Sequence, residues 1–113
     1  MKGIIMSLYL ARAKYNGKAF KGMVTEPSDR AAAAKQIANA LGIEVQQVYF
    51  SSATGEILMI MDSTPEKNAQ MLMVVMSTET FDDGSITDLM TAGEMKSAME
   101  AAGTLLGSYK PAG

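Results

Sequence analysis

The residue types that most often carry enzymatic chemistry are scarce in this sequence. It contains no histidine and no cysteine. The commonest general base, the commonest metal ligand and the thiolate nucleophile are therefore missing, and a serine nucleophile would lack its usual histidine partner. Acid–base chemistry would fall to carboxylates, lysine or tyrosine. We predict no metal site and no cofactor.

One cluster of polar side chains is predicted at a rim of a β-sheet. Arg12 and Lys14 end the first predicted strand, Ser51 ends the second and Glu56 begins the third. The first two strands are predicted to run parallel, and the third runs antiparallel to both. The ends of the first two strands and the start of the third therefore lie at the same rim of the sheet. One interpretation is a ligand site, in which Arg12 and Lys14 hold a small anion or carbonyl compound, Glu56 is a base and Tyr49 lies nearby. The alternative is a cross-strand ion pair at a sheet edge.

Eleven methionines raise the possibility of copper(I) binding, because thioethers are soft ligands. The segments MIM at 59–61 and MLMVVM at 71–76 have the spacings M-x-M and M-x-x-M. In a strand, however, Met59 and Met61 would alternate with other apolar residues as core side chains, and Met73 and Met76 fall on a predicted buried helix face. Without histidine or cysteine to anchor a metal, we interpret the methionines as flexible core packing.

The elements that must position these groups follow from local patterns. The predicted strands are 4–14, 43–52, 55–62 and 85–90, the predicted helices begin at or near residues 28, 63 and 91, and FDDG at 81–84 is predicted to be a turn. AFKGMV at 19–24 is predicted to form a single helical turn. The predicted buried helix faces are Ala34, Ile37, Ala38 and Leu41, then Ala69, Leu72, Met73 and Met76, then Met95, Ala98, Met99 and Ala102.

Helix ends are marked by capping residues. Ser28 is the predicted N-cap of the first main helix, and Gly42 has the position of a C′ glycine. Ser63 or Thr64 is predicted to cap the second. Thr91 and Glu94 have the spacing of a capping box.

The predicted order, β-α-β-β-α-β with a closing helix, is that of an α+β ferredoxin-like fold with an antiparallel four-stranded sheet. Both main helices then cover one face. The central third strand is apolar on both faces, with Met59 and Met61 toward the core and Leu58 and Ile60 away from it. An uncovered apolar face of this size is rare in soluble monomers. We therefore predict a homo-oligomer that packs sheet to sheet.

Length and composition limit the class of protein. The 113 residues predict a single domain over 1–113. No apolar run has the length of a membrane span, and the N-terminus is interpreted as a strand, so we predict a cytoplasmic protein without membrane contact.

The charged residues are unevenly distributed along the chain. Residues 1–35 carry seven Lys/Arg against two acids (+5), and residues 36–113 carry three Lys/Arg against ten acids (−7). The basic residues are not interleaved with aromatics, so no nucleic-acid partner is predicted.

Several segments resemble the GYD domain family. They are MSLYLARAKYNGKAFKGMV, RAAAAKQIANALGIEVQQVYFSSATGEILMIMD and TAGEMKSAMEAAGTLLGSYKPAG, which together span about residues 6–113. The resemblance implies a ferredoxin-like subunit in a dimeric α/β-barrel type of assembly, with Met1–Ile5 as an extension. The family takes its name from a Gly-Tyr-Asp cluster before the third strand. Here that turn reads Ala53-Thr54-Gly55-Glu56, so any role of the tyrosine cannot be transferred.

Three functional hypotheses follow. The first is a homo-oligomeric module that binds a small ligand or serves assembly. The second is a cofactor-independent enzyme, such as an oxygenase or isomerase, acting on a small organic molecule through Arg12, Lys14, Tyr49 and Glu56. The third is a regulatory or scaffold partner of another protein that uses the acidic C-terminal half.

Overall fold

The computed structural model describes residues 5–113. The elements are β1 (Ser7–Tyr15), α1 (Gly17–Thr25), α2 (Arg30–Ala40), β2 (Glu44–Ser51), β3 (Glu56–Ser63), α3 (Pro65–Met76), β4 (Phe81–Asp88) and α4 (Ala92–Gly103). The predicted order is confirmed, and α1 is a nine-residue helix where one turn was predicted. The predicted strand start at Ile4 and residues 1–4 of the predicted extension lie outside the described residues.

The sheet has the strand order β2-β3-β1-β4, and every neighbouring pair is antiparallel. Strands β1 and β3 are therefore central, as predicted. The fold is the expected ferredoxin-like α+β arrangement, in which β1 and β2 run parallel with β3 between them. This topology brings the end of β1, the end of β2 and the start of β3 to one rim.

The core lies between the helices and one face of the sheet. It consists of Ala38, Ile43, Met59, Met61 and Met71. The predicted α2 face is confirmed, since Ala38 is fully buried and Ala34, Ile37 and Leu41 pack against the core.

The predicted buried face of α3 is correct for Leu72 and Met76, which are half-buried against β4, and wrong for Ala69 and Met73, which are exposed. Met71 and Asn68 are buried, whereas Met73 is 71% exposed. Because MLMVVM is apolar on every side of a helix, its pattern does not fix which side faces the sheet. Contact with β4 decides the orientation.

A bulge in β2 changes the faces predicted for that strand. Val45 pairs with Met61 and Gln47 pairs with Ile60, so one extra residue, Gln46, lies between the two pairs. Strict alternation along this strand predicts Val45 on the same face as Gln47, and this prediction is wrong, because the bulge puts Val45 on the helix side. Gln47, Tyr49 and Ser51 share the opposite face as predicted.

Strand β4 includes the segment FDDG, which was wrongly predicted to be a turn. Its residues pair with β1, Phe81 opposite Tyr15 and Asp83 opposite Lys14. Gly84 is needed here for close packing rather than for a turn. A Cβ at this position would lie 3.1 Å from Leu72 Cδ1 and 3.2 Å from Met76 Sδ.

The caps agree with the sequence except for the start of α2. There Asp29, not Ser28, accepts a hydrogen bond from the Ala32 amide at 3.0 Å. Thr64 caps α3, while Ser63 stays buried at the end of β3. Gly42 has φ of 72° after α2. The capping box of Thr91 and Glu94 is confirmed.

The C-terminal part of the chain extends away from the sheet. Every residue from Thr91 onward is exposed, including Met95, Met99 and Leu106. The radius of gyration is 18.0 Å, compared with roughly 13 Å for a compact domain of this length. The predicted apolar face of α4 therefore faces solvent in the single subunit.

Candidate functional site

The face of the sheet opposite the helices, here called the open face, contains the candidate site. Pairing of β1 with β3 places Leu10 opposite Ile60, Arg12 opposite Leu58 and Lys14 opposite Glu56. Directly paired residues point to the same side of a sheet. None of the side chains on the open face is buried, since all buried residues among 5–113 lie on the helix side or at its margin. The open face is therefore an uncovered surface with apolar residues along its central strands.

The centre of the polar cluster is an ion pair between neighbouring strands. Arg12 Nη1 donates to Glu56 Oε2 at 2.7 Å. Arg12 Nη2 also donates to Ser85 Oγ on β4 at 3.2 Å, and Thr54 Oγ1 donates to Glu56 Oε1 at 2.7 Å. The Glu56 side chain is only 14% exposed and that of Arg12 is 40% exposed. The pair links β3, β1 and β4 across the sheet.

The other predicted site residues surround this pair. Lys14 lies opposite Glu56 on one side and Asp83 on the other. Ser51 lies opposite Glu56, and Tyr49, which is 56% exposed, is paired with Leu58 further along the strand. The predicted set of Arg12, Lys14, Tyr49, Ser51 and Glu56 therefore shares the open face. We call it the rim cluster.

The turn between β2 and β3 fixes the position of Glu56. Gly55 has φ of 70°, a left-handed conformation that favours glycine. Its carbonyl accepts from the Tyr15 amide at 3.0 Å, and its amide donates to the Ser51 carbonyl at 2.9 Å. A Cβ at Gly55 would lie 3.2 Å from Phe20 Cζ. The turn is thus held by β1, β2 and α1 together.

Sequence reasoning missed three members of this neighbourhood, Thr54, Asp83 and Ser85. Thr54 comes from the turn itself, and its role depends on a side-chain contact that spacing does not reveal. Asp83 was assigned to a turn, so its place beside Lys14 was hidden. Ser85 was on a predicted strand, and the register of β4 with β1 is what places it opposite Arg12.

Both oxygens of Glu56 are already engaged, one by Arg12 and one by Thr54. To act as a general base, the carboxylate would have to exchange one of these donors for a substrate proton. The two positive charges of Arg12 and Lys14 are also balanced by the two negative charges of Glu56 and Asp83. The arrangement as it stands favours the cross-strand ion-pair interpretation over catalysis.

A cleft lies on the helix side of the sheet, away from most of the rim cluster. Its volume is about 260 Å³, and it is lined by residues of α2, α3 and the strands beneath them. Of the five rim residues, only Arg12 contributes to its walls. The cleft and the rim cluster are therefore separate features on opposite faces of one sheet.

Comparison with known proteins identifies the family. The family model described as "GYD domain" matches residues 9–99. The chain belongs to the GYD domain family. The match includes the rim cluster, nearly the whole sheet and most of α4, but not the C-terminal GSYKPAG segment on which part of the resemblance was based. No curated protein matches the chain.

Among residues 5–113 of this GYD domain, we find neither a cluster of metal ligands nor a membrane-spanning helix. Within that range, no group of three or more potential ligands among Asp, Glu, His and Cys is placed to hold a metal ion. None of the helices formed by these residues has the length and apolar character needed to cross a membrane.

Proposed function

We propose that this GYD-domain protein is a self-associating module whose copies pair through the open face, giving a dimeric α/β-barrel type of assembly. The observation that carries the proposal is the apolar strip on the two central strands. Leu8 and Leu10 of β1 lie beside Leu58 and Ile60 of β3, and all four are half-buried within the subunit with no helix above them. Contact with a second copy would remove this strip from water.

The exposed α4 supports the same proposal. Its apolar face contains Met95 and Met99, which are 48% and 60% exposed. A helix of 12 residues is marginal by itself in water, because most helical stability in proteins comes from packing of an apolar face. A partner subunit that covers α4 would supply this packing.

The Arg12–Glu56 ion pair is compatible with burial in such an interface. Each of these two charges already has its partner and a further hydrogen bond, so association would not leave either of them unpaired in a dry environment. Tyr49, exposed beside Leu58, is the aromatic residue suited to anchor the contact.

Replacement of Ile60 by lysine tests the proposal. The charge would stand in the centre of the apolar strip, and burial of an unpaired ammonium is strongly unfavourable. We expect association to weaken by at least about 100-fold, equivalent to roughly 2.8 kcal/mol. The measurement is sedimentation velocity over a wide dilution series, with circular dichroism to confirm that the subunit stays folded.

The matched control is Val24→Lys on α1. Val24 is 80% exposed and belongs to α1 rather than to a strand of the open face, so the same change of charge should leave association unaffected. A wild-type protein that sediments as a stable, folded single subunit at every concentration would refute the proposed pairing.

Ligand binding at the rim cluster is a second candidate, and Lys14 is the observation that favours it. Its side chain is exposed, and among residues 5–113 its ammonium forms no ion pair within 4 Å. We expect malonate, a small dianion, to shift the amide resonances of Lys14 and Ser51 in the wild type. Lys14→Gln should abolish the shifts and Lys18→Gln on α1 should preserve them. Shifts that survive Lys14→Gln would exclude this site.

A further inference from the structure

The cleft on the helix side has its origin in the spacing of the helices. Helix α2 packs chiefly on β2 and α3 chiefly on β4, so a space remains between the two helices above part of the central strands β1 and β3. Small side chains on both walls keep this space open; they are Ala11 and Ala13 of β1 and Ala33 and Ala34 of α2. The alanine run of α2 therefore shapes a cavity as well as favouring the helix.

The cleft has a polar end and an apolar end. Strand β1 ends where β4 begins, with Tyr15 opposite Phe81, and α2 starts on the same side. This topology gathers Tyr15, Arg30 and Thr80 at one end of the lining, while Ile37 and Ile86 contribute to the apolar remainder. The space therefore suits a molecule with one polar group and an apolar body.

Arg30 determines the charge that this polar end prefers. Arg30 as a whole residue is half-buried, and the one side-chain hydrogen bond of its guanidinium among residues 5–113, to Ser28 Oγ at 3.2 Å, lies at the surface. No carboxylate in this range lies within 4 Å of it. Its remaining donors match a carboxylate, which arginine binds in a bidentate geometry.

We propose that the cleft is a binding site for a small amphipathic carboxylate, with its anionic group at Arg30 and its apolar body between α2, α3 and the central strands. A 150 Å³ apolar cavity accommodates benzene, so about 260 Å³ suits a ligand of on the order of ten non-hydrogen atoms. Such compounds include eight-carbon fatty acids and small aryl carboxylates. The site lies on the opposite face from the proposed interface, so each proposal can fail without the other.

Isothermal titration calorimetry with octanoate tests the site, with octan-1-ol and octylamine as probes of equal chain length. We expect saturable binding of one octanoate per subunit with a Kd of roughly 0.1–1 mM, from the affinity per atom usual for small ligands. Octan-1-ol should bind at least about fivefold more weakly and octylamine more weakly still. Absence of saturation by octanoate, or equal affinity for all three probes, would overturn the proposal.

Three variants locate the binding. Arg30→Gln should weaken the binding of octanoate by about tenfold or more, because the charge-assisted contact is lost. The affinity for octan-1-ol should change less than twofold, since the alcohol does not make that contact. Ala34→Leu should block both by filling the space. Lys35→Gln, the control, alters an exposed cation on the same helix that is outside the cleft and should change neither affinity.

Resonance shifts in the wild type provide a check that does not depend on the folding of any variant. Octanoate should perturb the amides of Ala34, Ile37 and Ile86 while leaving those of Leu58 and Ile60 on the open face unchanged. Perturbations confined to the open face, or an affinity unaltered by Arg30→Gln, would refute the assignment.

Discussion

At the scale of single residues, the rim cluster depends on one backbone conformation. Gly55 adopts a left-handed φ of 70° and thereby turns the chain so that Glu56 meets Arg12. The same residue packs under the ring of Phe20, which in turn contacts Tyr15 edge-on at a centroid distance of 6.0 Å. The position of the ion pair and the packing of the first half of α1 therefore both depend on this glycine.

We predict that Gly55→Ala destabilises the protein by about 1–3 kcal/mol, the usual cost of holding a non-glycine residue in a strained region. The added Cβ would also force Phe20 to shift, since it would lie 3.2 Å from that ring. Denaturant unfolding measures the effect. Gly22→Ala is the control, because a Cβ added there would meet no atom within 4 Å and alanine favours the helical state. Equal effects of the two substitutions would contradict this account.

At the scale of elements, α4 is held by its capping box more than by packing. The pKa of Glu94 is lowered, first because the Thr91 backbone amide donates to its carboxylate at 2.9 Å and second because of a side-chain hydrogen bond with Thr91. A carboxylate whose folded-state pKa is lowered stabilises the fold above its unfolded pKa of about 4.3. That contribution is lost as the pH falls through the folded pKa.

We therefore predict that the first turn of α4 becomes less protected as the pH drops below about 4.3. Amide hydrogen exchange of the α4 residues, corrected for the intrinsic pH dependence of exchange, measures the loss. Glu94→Gln retains a hydrogen-bond acceptor but does not titrate, so this acid-dependent loss should disappear in the variant. A loss of equal size in Glu94→Gln would show that another group is responsible.

The elements also show where sequence reasoning succeeds. The capping box of α4 and the C′ position of Gly42 depend on contacts within a few residues, and both were predicted correctly. The rim cluster was placed by strand order and parity along β1 and β3, which contain no bulge between Arg12 and Glu56 in their shared register. Local chemistry and strict alternation are sufficient for such features.

Errors occur where a distant element decides the outcome. Asp83 and Gly84 have turn propensity, yet pairing with β1 makes them part of a strand, with Asp82 as an unpaired extra residue beside them. The orientation of α3 is set by its contact with β4, and the bulge at Gln46 has no local signature. The cleft, too, follows from the separation of α2 and α3 and is invisible in the sequence of either helix.

At the scale of the whole molecule, the subunit exposes apolar side chains on several elements, and the open face and α4 are the two surfaces that the proposed pairing would cover. The extent of the molecule, 60 × 45 × 23 Å, reflects the projection of the C-terminal part from a flat sheet-and-helix body. If copies pair as proposed, the folded state is stabilised by mass action, so thermal unfolding should shift upward with protein concentration. The Ile60→Lys variant described above separates this contribution from the stability of the subunit.

The extra residue at Gln46 lies on β2, one of the two border strands of the sheet. An irregular border is a poor template for adding another strand by main-chain hydrogen bonds, and the acidic Asp82, Asp83 and Asp88 of β4 give the other border repulsive charge. Both edge strands are therefore unfavourable for the edge-to-edge addition of further copies into a continuous sheet. If copies pair through the open face as proposed, a two-fold contact would close after one pairing step.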